Sequence, residues 1–167
     1  YKARLQDFDD GKASTLGDYL PTKLGMDEGE TVFAAVLPGS YEGSLLFAYE
    51  NGKCGKVALS CYSTKTNRKR LTGAYSDKSP LAAVIALPEE AELVLYSSDN
   101  RALIISSALL AQKATRSTQG VQVLTPRRGR SLTRAVRLEE SGLGNVSRYR
   151  AKTLPSAGAI LRPEDAE

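Results

Sequence analysis

Lys65-Thr66-Asn67-Arg68-Lys69-Arg70 places four cations within six residues. Lys113 and Arg116, set among Thr115, Ser117 and Thr118, repeat that composition more sparsely, and Arg127, Arg128 and Arg130 make a third cluster. Cations mixed with short hydroxyl and amide side chains suit a polyanionic partner. Lysine and arginine displace condensed counterions from a phosphate backbone, and Thr, Ser and Asn can donate to its oxygens. The charge distribution agrees. Residues 1–50 carry 4 basic and 9 acidic side chains, whereas residues 51–150 carry 17 basic and 7 acidic ones. The overall charge of +4 hides this asymmetry, which concentrates positive charge where a polyanion would bind.

Other chemistry is poorly provided for. The chain has no histidine, which excludes an imidazole metal site and a histidine-based nucleophile triad. Its two cysteines, Cys54 and Cys61, fit neither a C-x-x-C motif nor a zinc knuckle and read as reduced strand thiols of a cytoplasmic protein. The acidic pairs Asp9-Asp10, Glu89-Glu90 and Glu139-Glu140 are adjacent in sequence, so a strand would point their members to opposite faces. No catalytic residue, metal or cofactor is expected. No apolar run approaches the roughly 20 residues of a membrane helix, and residues 1–30 are acidic without an apolar signal segment. The sequence begins mid-pattern at Tyr1 without a methionine and reads as a piece of a longer protein.

The elements that must position the cations form a repeat. Leu45–Tyr49, Asn51-Gly52, an apolar run and the Lys65–Arg70 segment recur about 48 residues later as Leu93–Tyr96, Asp99-Asn100, an apolar run and Lys113–Arg116. Asn51 falls on Asp99, Lys53 on Arg101, Lys65 on Lys113 and Arg68 on Arg116. Asn51-Gly52 predicts a hairpin with a type I′ turn. Leu81–Leu87 predicts a strand, Glu30–Leu37 a buried strand of the same phase, and Leu132–Leu138 the start of the next equivalent. Tyr1–Phe8 and Gly120–Thr125 also read as strands. Arg134, Arg137, Arg148 and Arg150 read as solvated or paired with Glu139 and Glu140. Short strands with frequent turns predict an all-β chain. A four-stranded unit of this length is blade-sized, and a β-sandwich is the other architecture the pattern allows.

Several of these stretches resemble the C-terminal domain of the A subunit of bacterial DNA gyrase and topoisomerase IV. Phe47-Ala48-Tyr49-Glu50-Asn51-Gly52-Lys53-Cys54-Gly55-Lys56 is similar to that family's blade hairpin. Leu109–Val121, ending Thr115-Arg116-Ser117-Thr118-Gln119-Gly120-Val121, is similar to its blade-closing segment, with Ala83–Leu87 fitting between. The resemblance covers roughly residues 30–138. It implies a propeller-like β-pinwheel, here a partial arc of two to three blades spanning 1–140, with units near 30–80 and 81–138 and a tail at 141–167. It implies a non-catalytic module that binds and bends or wraps double-stranded DNA and assists segment capture. The implied partners are the rest of its own A subunit and the ATPase B subunit. The implied DNA-binding residues are Lys65, Arg68, Lys69, Arg70, Lys113, Arg116, Arg127, Arg128 and Arg130, with the first two clusters on one rim. The gyrase heptad Gln-Arg/Lys-Arg-Gly-Gly-Arg/Lys-Gly is absent. Its nearest string, Pro126–Ser131, lies at another phase, which fits gripping and bending better than full wrapping. The alternative is a protein-interaction scaffold whose acidic N-terminal stretch faces a basic partner.

Overall fold

A computed structural model describes residues 1–66 and 69–166. The two apolar runs of each repeat fold as hairpins: β1 (Ser44–Tyr49) with β2 (Lys53–Ala58), joined later to β3 (Leu81–Leu87); then β4 (Glu92–Ser97) with β5 (Arg101–Ser106). β6 (Gln112–Lys113), β7 (Val121–Gln122), β8 (Leu132–Arg137) and β9 (Ala159–Ile160) follow. β3 lies antiparallel on β1, and β8 lies antiparallel on β4. Both pairings slip at corresponding places, Ala48/Tyr49 and Tyr96/Ser97. The chain is all-β in these two open sheets, which do not close on each other.

The hairpin turns match each other but are not type I′. Only Gly52 (φ 83°) and its counterpart Asn100 (φ 56°) are left-handed, each at the end of a three-residue loop. The Gly52 N–H donates to Tyr49 O (2.9 Å) and the Asn100 N–H to Ser97 O (3.2 Å). A turn closed this way and ending in one left-handed residue is the three-residue hairpin loop, and Gly or Asn is the residue that tolerates that φ.

Each sheet gains its outer strand from sequence beyond its own repeat. β6 runs parallel to β2, and β7 runs antiparallel to it, so residues 112–122 leave the second hairpin and close the first sheet. In the second sheet Arg150 bridges Ile104 in parallel and β9 pairs antiparallel with β5. The sequence units near 30–80 and 81–138 therefore do not coincide with the folded sheets. Nor is 141–167 a tail. Tyr149 is buried, Ser156 bridges Leu124, and β9 belongs to the second sheet. The glycines that let these straps approach are Gly120 (φ 74°) and Gly158 (φ 72°). A Cβ would stand 2.1 Å from Cys54 O at the first and 2.7 Å from Ala102 O at the second.

Leu46 and Ala48 face Leu93, Leu95 and Leu103 in a core between the sheets. Leu45, Phe47 and Tyr49, on the opposite face of β1, pack with Val57 and Leu59. Both faces of β1 are thus covered, which accounts for a continuous apolar run instead of an alternating one. Lys56 enters the space between the sheets with a side chain only 4% exposed. Its Nζ donates to Glu90 Oε1 (2.6 Å) and to Ser107 O (2.9 Å), and the Ser107 hydroxyl donates to the same carboxylate. This cluster ties β2 of one sheet to the segments flanking β4 and β5 of the other.

The N-terminal expectations fail. Tyr1–Phe8 holds only a 3-10 turn at Leu5–Asp7, and Glu30–Leu37 is not a strand. Val32, Phe33 and Leu37 are exposed. The apolar run of Glu30–Leu37 matches β3, but β3 is held by pairing with β1. No described strand occupies the equivalent position beside residues 30–37. Backbone without a ladder partner does not stay in a sheet.

Candidate nucleic-acid interface

The loop carrying Lys65 and Lys69 leaves the 3-10 turn Leu59–Tyr62, and several contacts fix its base. Tyr62 OH donates to Ala74 O (2.6 Å), and the Thr64 hydroxyl donates to Thr66 O (2.8 Å). Burial raises the Tyr62 phenol, so it stays a neutral donor. Lys65 and Lys69 are exposed. Arg68 lies outside the described residues.

Strand exchange brings the second cluster against the first. β6 carries Lys113 along the edge of β2, anchored where Gln112 Nε2 donates to Ser44 Oγ (2.7 Å). Lys113 is exposed. Three residues on, Arg116 is half-buried and donates to Cys61 O (3.4 Å) and Thr72 O (3.3 Å), the two ends of the Lys65–Lys69 loop. The Cys61 thiol donates to Ala114 O (3.2 Å). The two basic segments therefore meet directly on the first sheet. The repeat phase had spaced them one blade apart. Arg116 spends donors on the backbone that holds them together.

Arg70 is also engaged. Its guanidinium pairs with Asp27 and with Glu30 (2.9 Å), both from the acidic N-terminal stretch. In the third cluster the members separate. Arg127 and Arg128 are exposed. Arg130 is 4% exposed at its side chain, and its Nε (3.0 Å) and Nη2 (2.6 Å) both donate to Asp99 Oδ2. The Ser97 hydroxyl and then Arg130 hold the Asp99 carboxyl below its usual range. Arg130 thus fastens the second hairpin turn to the loop before β8.

The other arginines do not pair as their sequence neighbours suggested. Arg150 binds Glu92 (2.8 and 3.0 Å), and Arg137 donates to Ala86 O. Arg134 and Arg148 sit over the rings of Tyr96 (5.3 Å) and Tyr149 (5.8 Å). Lys152, exposed on the strap that closes the second sheet, is a further cation outside the clusters singled out from the sequence. Its signal was Gly158, which repeats the role of Gly120 behind a basic segment.

Among the described residues no group of three or more His, Cys, Asp or Glu could hold a metal ion, and no helix is long and apolar enough to cross a membrane. Burial pushes the Cys54 thiol up to about 12, so it is inert as a nucleophile. What remains is a surface of exposed lysines and arginines on a β scaffold, with Lys65, Lys69 and Lys113 on two segments bonded to each other.

No protein-family model and no curated protein matches the sequence. Solved structures do match the fold. The C-terminal domain of DNA topoisomerase IV is similar over 83% of this chain and 44% of its own length, at TM-score 0.69 and 21% identity. The DNA gyrase A C-terminal domain is similar over 75% of this chain and 47% of its own, at TM-score 0.53 and 16% identity. The chain thus spans a little under half of either domain, and its two strand-exchanged sheets have the β-pinwheel fold of topoisomerase C-terminal domains.

Proposed function

We propose that this chain is a non-catalytic DNA-binding module of a bacterial type II topoisomerase A subunit, acting in the cytoplasm. It grips and bends a duplex and assists segment capture, while cleavage and ATP chemistry belong to the rest of the A subunit and to the ATPase B subunit. The observation that carries this reading is the junction of the Lys65–Lys69 loop with the Lys113 strap, tied by Arg116. Exposed ammonium groups on such a platform release counterions from any duplex without reading sequence. Likeness in fold to the topoisomerase C-terminal domains supports it. Arg127 and Arg128 extend the surface. Arg68 belongs to the proposed set by its place in the sequence, as does Arg70, whose guanidinium Asp27 and Glu30 hold in this structure, and Arg116 and Arg130 serve it mainly by holding the loops. The test is a salt-dependent titration against duplex DNA of the wild-type chain and of a Lys65→Glu, Lys69→Glu, Lys113→Glu variant. The wild type binds at low ionic strength and the variant does not. Equal binding by both would refute the assignment.

A protein-docking scaffold is the second reading, and one observation favours it: Val32, Phe33 and Leu37 stand exposed. Under that reading the charge reversals leave partner binding intact.

A further inference from the structure

Residues 1–43 contain no buried side chain and no strand, only a 3-10 turn at Leu5–Asp7 and a five-residue helix at Leu20–Leu24. Val36 and Tyr41 pack on the outer core of the first sheet, and residues 1–30 meet the basic loop. The Lys2 N–H donates to Lys69 O (2.6 Å), and Lys2 Nζ donates to Thr64 Oγ1 (3.0 Å). Asp27 and Glu30 flank the Arg70 guanidinium, and the Tyr1 ring lies beneath it at 5.6 Å. The Asp27 N–H (2.9 Å) and Tyr1 OH both donate to Glu30, aligning its carboxylate. These two acids hold Arg70 as phosphate oxygens would, with charged acceptors along the guanidinium fork.

We infer that the acidic N-terminal segment is a displaceable cover on the DNA-binding loop, with Asp27 and Glu30 competing against DNA phosphates for Arg70. The inference rests on the DNA-binding reading above. The cover can be displaced because its ion pairs are exposed: Arg70 is 52% and Asp27 66% accessible. Exposed pairs of this kind are weak and are screened by salt. A polyphosphate backbone, with many charges along one line, outcompetes two carboxylates. A single acidic ligand does not. A duplex reaching Lys65 and Lys69 also meets the field of Asp27 and Glu30, which lowers affinity until the segment moves aside. The apolar packing of the segment on the sheet is at Val36 and Tyr41, and the stretch that carries Asp27 and Glu30 has no buried residue to oppose that movement.

The test compares duplex-DNA titrations, across a range of salt, of the 167-residue wild type, an Asp27→Asn, Glu30→Gln variant, and a Glu139→Gln, Glu140→Gln control with the same change in net charge. The uncovered variant is expected to bind about two- to fivefold tighter at low salt, with a log–log salt slope steeper by about one. The control moves less. Adding Arg70→Gln to the uncovered variant abolishes the gain. Equal affinities for wild type and uncovered variant, a control effect of the same size, or a gain that survives Arg70→Gln would each overturn the cover and leave the DNA-binding reading standing. Absence of DNA binding by all the proteins would overturn both.

Discussion

Lys56 and Glu90 are bonded to each other, yet removing one or the other has different consequences. The Lys56 side chain is 4% exposed and the Glu90 side chain 52%. Glu90→Ala leaves an ammonium between two sheets that keeps only its bond to Ser107 O among the described residues. Breaking a buried pair from one side costs about 3–5 kcal/mol. Because Ser107 remains and one partner sits at the surface, the expected loss here is about 2–3 kcal/mol. Lys56→Met removes the buried charge and keeps the volume of its stem, and Glu90 turns into water. That change should fall within about 1 kcal/mol of the wild type. For a domain of this size Glu90→Ala then lowers the melting temperature by roughly 4–12 °C, and Lys56→Met by only a few degrees. Thermal and urea denaturation followed by circular dichroism measure the two quantities for both variants. The hydrogen bonds from Lys56, then Ser107, hold the Glu90 carboxyl below its ordinary value of 4.5. A carboxyl depressed in the folded state stabilises fully above its unfolded value, and that contribution disappears as pH falls through the folded one. Below pH 4.5 the wild type therefore loses stability faster than Lys56→Met. The reasoning is refuted if Lys56→Met proves the more damaging substitution, or if both lose stability in parallel with acid.

Neutralising Lys65, Lys69 and Lys113 to Gln should flatten the DNA salt slope by roughly two to three units, at about 0.9 per phosphate contact. Arg130→Gln should leave the slope unchanged while lowering the urea midpoint, because its guanidinium already holds Asp99. Gly120→Ala, whose Cβ would stand 2.1 Å from Cys54 O, should destabilise the chain by at least about 2 kcal/mol. Gly129→Ala, equally left-handed at φ 76° but with nothing within 4 Å, should cost about 1 kcal/mol, and equal melting temperatures for the two would discredit the close approach. A thiol reagent at neutral pH should modify Cys61, which is partly exposed, and leave buried Cys54 unmodified until denaturant is added; simultaneous labelling would contradict that burial.

The hairpins were legible because their signals are local. Asn51-Gly52 and Asp99-Asn100 end their strands through the φ of a single residue, and Leu45–Tyr49 and Leu93–Tyr96 are apolar enough to be strands. The straps were legible only in part. The alternation of Gly120–Thr125 marked β7, and Leu109–Val121 resembled a closing segment, but β6 and β9 are two residues each, too short for any periodicity, and the placement of both straps depends on Gly120 and Gly158 meeting backbone far away in sequence. Glu30–Leu37 misled because composition records apolarity and says nothing about whether a neighbouring strand is present. At the candidate site the positions of the charges could be read, but not their occupation. Nothing near Arg130 or Arg70 in sequence indicates that Asp99 and Glu30 hold them. Tyr149 was lost in a stretch of low apolar density, where one buried ring suffices to seat the chain.

Strand exchange also sets a schedule for biosynthesis. β2 ends at Ala58, but the residues that cover its outer edge, 112–122, are made much later. At about 5–20 residues per second, roughly 3–13 seconds separate a completed hairpin from its closing strap. Through that interval β2 presents bare backbone donors and acceptors, the kind of edge on which chains aggregate. Lys53 and Lys56 lie on that strand. Charges placed there discourage a neighbouring nascent chain from pairing until Gln112 and Gln122 arrive, and in the folded chain Lys56 pairs with Glu90. A lysine that ties two sheets together in the finished protein thus guards an open edge while the protein is still being made.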